Sequence, residues 1–148
     1  MQKPIDARRH GMMDYATVAA TAAAPRALGF PRSAENLAYG LAAGYLGLSL
    51  LTDYPLSARR VVPFKGHGVA EVALGAALPF LPWLLGFSES RPARNFFLGL
   101  TALTAATALL TDWNAPDADR GLGGELQQRF DDEIRTGSNR ITRELADL

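Results

Sequence analysis

The reading of this chain turns on Arg8-Arg9-His10-Gly11-Met12-Met13-Asp14-Tyr15, because its layout returns as Lys65-Gly66-His67-Gly68-Val69-Ala70-Glu71. In both places a carboxylate follows a histidine by four residues, so the two share one face of a helix. Each opening leads through apolar sequence to a closing Thr-Asp-aromatic: Thr52-Asp53-Tyr54-Pro55 in the first case, Thr111-Asp112-Trp113 in the second. A layout that occurs twice implies an internal repeat, one unit over residues 10–55 and the other over 67–113.

Between these marks the charges vanish. Asn36–Thr52, Val72–Ser88 and Asn95–Thr111 are charge-free runs of 17 residues, and Tyr15–Pro25 is a shorter run of 11. A membrane-spanning helix needs roughly 17–25 predominantly apolar residues, so three runs reach the lower limit and the first falls short. The expected fold is all-α: a four-helix membrane bundle of two tandem hairpins related by a parallel pseudo-twofold, with a C-terminal amphipathic helix. A soluble, alanine-rich four-helix bundle is the competing reading.

Taken in order, residues 1–9 are a short polar lead. Helices are expected from about His10 to Ala24, Ala34 to Asp53, His67 to Leu85 and Ala93 to Asp112. Pro25 and Gly29 would end the first, and Ser33 would cap the second. Gly40 and Gly44 in the second helix have the spacing that lets two membrane helices approach closely. Tyr54, Trp113 and, at the opposite end, Trp83 are expected as interfacial aromatics. Residues 114–148 are expected to form a linker and an amphipathic tail, with Leu122, Leu126, Phe130 and Ile134 recurring every four residues. Met1–Ala24 has the outline of a signal peptide, but Asp14 and the second copy of the layout argue that it stays.

Short far-side links gather His10, Asp14, Asp53, His67, Glu71 and Asp112 at one end of the bundle. Lys3, Arg8, Arg9, Arg59, Arg60 and Lys65 surround that end, against Arg26, Arg32, Arg91 and Arg94 at the other. The positive-inside rule then places the polar face and both termini in the cytoplasm, in a multi-pass inner-membrane protein.

The totals exclude several functions. Formal charge is zero, so nothing points to nucleic acid, and the absence of cysteine removes disulfides, thiolate metal sites and a cysteine nucleophile. No phosphate loop, dinucleotide fingerprint or zinc-protease motif appears. Ser57 lies at the polar face with nothing marking it as a nucleophile.

Pro82-Trp83-Leu84-Leu85-Gly86-Phe87, after a helix that begins His-x-x-x-Glu, resembles the SPW-repeat membrane proteins of bacteria and archaea. Leu81 stands where that motif has serine, and the first copy reads Ala24-Pro25-Arg26. The resemblance implies a small integral membrane protein of repeated hairpins and carries no activity with it.

Two roles follow for the polar face. Asp53 and Asp112 would accept hydrogen bonds from the histidines and pin helix ends together, with Thr52 and Thr111 bonded to nearby backbone. Alternatively His10, Asp14, Asp53, His67, Glu71 and Asp112 form a divalent-metal site, resembling a dinuclear carboxylate centre in inventory though not in spacing. Haem or chlorophyll on His10 and His67 is a further alternative. The expected function is a non-enzymatic accessory or scaffolding subunit, packing on a membrane protein or on itself through the Gly40/Gly44 helix or the tail. The alternative is a metal- or cofactor-binding, redox-capable membrane protein.

Overall fold

In the computed structural model, which describes residues 3–114, the elements are all helical. The amphipathic tail expected beyond Asn114 lies outside the described residues. Five α-helices follow in order: α1 Ala7–Leu28, α2 Arg32–Leu51, α3 Phe64–Ala77, α4 Leu81–Leu84 and α5 Arg91–Leu110. One turn of 3-10 helix, Leu78–Phe80, joins α3 to α4, so Phe64–Leu84 is a continuous helical segment of 21 residues.

Local chemistry sets the boundaries, in places against expectation. α1 starts three residues before His10 because Asp6 caps it, its carboxylate accepting from Arg9 N at 2.8 Å. Pro25 does not end α1; it sits inside the last turn, where only one backbone bond is forfeited. The stop is Gly29 at φ 64°, a left-handed conformation that glycine adopts without a Cβ clash. Ser33 is inside α2, not its cap, since Pro31 enters extended and its carbonyl already accepts from Glu35 N at 2.9 Å.

α2 and α5 end alike. Thr52 and Thr111 leave the helical region, with ψ 141° and 132°, and each pairs with an incoming segment. Val62 N donates to Leu51 O at 2.9 Å and Asp53 N to Val62 O at 2.7 Å. Correspondingly, Ile5 N donates to Leu110 O at 3.2 Å and Asp112 N to Ile5 O at 2.8 Å. These short bridges hold the start of α3 beside the end of α2, and the start of α1 beside the end of α5. Both histidines therefore enter at the level of the two threonines.

α1 packs on α2, α3 packs on α5, and α1 also meets α5. Two apolar clusters result. Ala34, Ala38, Leu78, Phe87, Ala93 and Phe97 form one; Ala7, Tyr54 and Phe64, with Trp113 packed against them, form the other. The second cluster depends on two close approaches. A Cβ at Gly11 would lie 2.6 Å from the Tyr54 ring, and one at Gly68 would lie 2.9 Å from the Trp113 ring. Tyr54 is consequently fully buried, not interfacial, whereas Trp83 is exposed. Gly40 and Gly44 are exposed and, among the described residues, have nothing within 4 Å of an added Cβ.

Two helical segments, Phe64–Leu84 and Arg91–Leu110, are long and apolar enough to cross a membrane. Only 28% and 17% of their apolar windows are buried, which is not how the core helix of a soluble domain is placed. The third expected run, in α2, is not among them: the helix ends at Leu51, so a window of 18 residues within it must take in Glu35 and Asn36 as well as Tyr39, Tyr45 and Ser49.

Candidate metal centre

His10 and His67 meet inside the molecule, both fully buried, with their Nε2 atoms 3.4 Å apart. Asp14 lies one turn beyond His10, Glu71 one turn beyond His67, and both carboxylates are buried. Asp14 Oδ1 is 3.4 Å from His10 Nε2, and Asp14 Oδ2 is 3.4 Å from His67 Nε2. Glu71 Oε2 is 3.5 Å from His10 Nε2 and has no hydrogen-bond partner among the described residues. One ligand atom each from His10, Asp14 and His67 fall within 4.8 Å of one another.

The other ring nitrogens settle which tautomer is present. His67 Nδ1 is 2.8 Å from Thr52 Oγ1, while that same hydroxyl donates its hydrogen to Leu48 O at 2.7 Å. A hydroxyl has one hydrogen, so Thr52 must accept and His67 Nδ1 must carry the proton. Thr111 does the same for His10: Oγ1 donates to Thr107 O at 2.7 Å and accepts from His10 Nδ1 at 2.9 Å. Both Nε2 atoms are therefore lone pairs in the neutral rings, pointing at each other and at two carboxylates.

Donors into this centre come from two tyrosines. The Tyr45 hydroxyl lies 2.8 Å from Asp14 Oδ1 and 3.3 Å from Glu71 Oε1, though its one hydrogen serves one of them at a time. The Tyr54 hydroxyl donates to Asp14 Oδ2 at 3.3 Å. Burial, and then the Asp14 charge, push the Tyr54 hydroxyl well above its ordinary value, so it stays a donor. Phe64 and Trp113 close the centre, their rings 5.4 Å and 4.8 Å from that of His10.

Of the six acids and histidines expected at this end, the structure brings four together. Asp53 is drawn elsewhere, into an ion pair with Arg60 at 3.4 Å, and Asp112 accepts from Asn114 N at 3.1 Å. The histidine clamps are the neighbouring Thr52 and Thr111, which also make the expected backbone bonds. The reason is the helix ends: leaving the helix at residues 52 and 111 puts the threonines inward and the aspartates onto other partners. A dinuclear site loses half its carboxylates by this. Carboxylate oxygens of Asp14 and Glu71 lie 3.4 Å and 3.5 Å from the Nε2 atoms, in the space that a haem or chlorophyll ring held between the two histidines would take.

Tyr45 is the residue that sequence reasoning missed. Its signal was present, because Tyr45, Ser49 and Thr52 fall at i, i+4 and i+7 on an otherwise apolar helix and so share one face.

No protein-family model matches this chain, and no curated protein or solved structure is similar to it.

Proposed function

We propose that this is a multi-pass membrane protein of two tandem hairpins in which His10, His67 and Asp14, with Glu71 beside them, hold a divalent metal ion. The observation that carries this reading is the convergence of two Nε2 lone pairs and two carboxylates in a buried space. Two imidazole lone pairs and two carboxylates with hydroxyl groups as their donors, among the described residues, favour positive charge between them, which a metal ion supplies without protonating the carboxylates, because buried negative charge alone is costly. The Nδ1–H bonds to Thr52 and Thr111 are of the kind that orients metal-bound imidazoles. Nitrogen and oxygen ligands suit zinc, manganese or iron.

The hairpin repeat is supported by correspondences that involve no charge. Gly29 and Gly86 both have positive φ, and Phe30 N and Phe87 N reach back to Pro25 O and Pro82 O. This is the layout that the SPW-repeat resemblance implies. The largely unburied apolar surface of Phe64–Leu84 and Arg91–Leu110 supports the bilayer, and the basic residues around the metal end favour a cytoplasmic orientation.

Elemental analysis of detergent-purified protein, offered zinc, manganese and iron(II) in turn, tests the site. One ion per chain is expected, lost in His10→Ala and His67→Ala while the helical circular dichroism persists. If no ion is retained at near-stoichiometric level, the cation is a proton and the histidines serve as helix clamps.

A scaffolding role is favoured separately by the exposed Gly40 and Gly44, which have open space around them among the described residues. Association with a second copy or another membrane helix through that face should weaken in a Gly40→Leu/Gly44→Leu variant, read by oligomer size in detergent.

A further inference from the structure

Besides Asp14 against Glu71 and Tyr54 against Trp113, the two halves differ beside the centre on α2 and α5. Tyr45 stands seven residues before Thr52, and Thr104 stands seven residues before Thr111. The Tyr45 hydroxyl reaches both carboxylates, at 2.8 Å from Asp14 and 3.3 Å from Glu71. Beside Tyr45 lies a partly open cavity of about 30 Å³, lined by Glu71 and Tyr45 and continued by Thr17, Thr21 and Thr104 among apolar side chains. A water needs roughly 10–15 Å³ measured this way, and two or more polar partners, so the cavity can hold one.

We infer that the metal keeps one coordination position facing this cavity, for water or a small anion, with Glu71 as the acceptor beside it. The inference rests on the metal reading above. Both Asp14 oxygens are oriented, Oδ1 by Tyr45 and Oδ2 by Tyr54, and each lies 3.4 Å from one Nε2, which suits Asp14 as the carboxylate ligand beside the two imidazoles. Glu71 is placed differently. Its Oε1 is within reach of Tyr45, its buried Oε2 has no hydrogen-bond partner among the described residues, and its side chain borders both the centre and the cavity. Three protein ligands with the fourth position open is the arrangement of metal sites that bind and activate a small ligand, whereas purely structural sites are closed. The centre is thus built to take an exchangeable ligand of about the size of water, hydroxide or azide.

The test uses the full chain in detergent, loaded with cobalt(II) as a spectroscopic probe and titrated with azide. Azide should shift the visible ligand-field bands, saturating at one per metal. Thr17→Leu, which fills the cavity one turn from Asp14, should keep the cobalt and its helical circular dichroism. It should raise the azide concentration for half-saturation by at least about tenfold. Thr21→Leu provides a second variant should the first not fold. If cobalt does not bind at all, the metal reading fails and this inference falls with it. Cobalt bound with bands indifferent to azide would overturn the open position alone. An azide response unchanged in both variants would overturn its placement at the cavity.

Discussion

His10 Nε2 and His67 Nε2 face each other across 3.4 Å, and in the neutral rings neither carries a hydrogen to place between them. The arrangement is held from behind. Each imidazole spends its only proton on a threonine from the other half of the chain, His10 on Thr111 and His67 on Thr52. The two halves are therefore tied through their histidines.

The threonines should matter as much as nearby ligands would. Replacing Thr52 or Thr111 with valine keeps the shape but leaves Nδ1–H without its acceptor, freeing the ring to turn or switch tautomer. Metal affinity should fall about 10–100-fold, as is typical when the group orienting a metal-bound histidine is removed. Serine at either position retains the hydroxyl and should restore most of the loss. Competition with a chelator measures this; valine variants that bind as tightly as the parent would remove the tautomer argument.

Asp53 and Asp112 should behave oppositely. Asp53 pairs with Arg60 where both side chains are 32% exposed, a setting in which an ion pair contributes about 0–1 kcal/mol. Asp53→Asn and Asp112→Asn should leave metal stoichiometry unchanged, whereas Asp14→Asn should abolish tight binding. Loss of the ion in either outer variant would restore the larger six-residue set.

This contrast also marks how far the sequence could be read. The pairs His10/Asp14 and His67/Glu71 were legible because a spacing of four fixes a shared helical face whatever surrounds it. Their companions were not. Thr52 and Asp53 are adjacent, and which one points inward depends on where α2 stops. That stop is set by pairing with Val62, a partner that periodicity does not reveal. Tyr54 was misread for a related reason: an aromatic after a helix end looks interfacial until Gly11, 43 residues earlier in the chain, is known to lie beneath its ring. Charge drew attention to the aspartates, and geometry gave the role to the threonines.

Gly11 and Gly68 should tolerate no side chain, since an added Cβ would press on the rings of Tyr54 and Trp113 at 2.6 Å and 2.9 Å. Overpacking of this kind costs about 1–3 kcal/mol. Gly11→Ala and Gly68→Ala should therefore lower the melting temperature, and Trp113→Leu should relieve the second of them. Gly40→Ala and Gly44→Ala, with open space around them, should be neutral or stabilising by about 0.5–1 kcal/mol through helix propensity in the isolated chain. Thermal unfolding of the four variants in one detergent makes the comparison. Equal effects at all four would mean that the aromatic rings are not packed on Gly11 and Gly68.

Glu71→Gln separates a ligand from a neighbour. If Glu71 is the acceptor beside an exchangeable ligand, glutamine keeps the side-chain volume and the Oε1 acceptor for Tyr45 while removing the charge. Binding of the metal alone should then weaken far less than in Asp14→Asn, because Asp14 and the two imidazoles still coordinate. In both proteins binding should fall as pH is lowered, since protons compete for each Nε2 and for the carboxylates. The parent should release more protons per ion bound than Glu71→Gln if Glu71 is protonated in the metal-free state, and the same number if it is not. Isothermal titration in buffers of different ionisation enthalpy counts those protons directly. A Glu71→Gln variant as defective as Asp14→Asn would make Glu71 a fourth ligand and close the coordination shell.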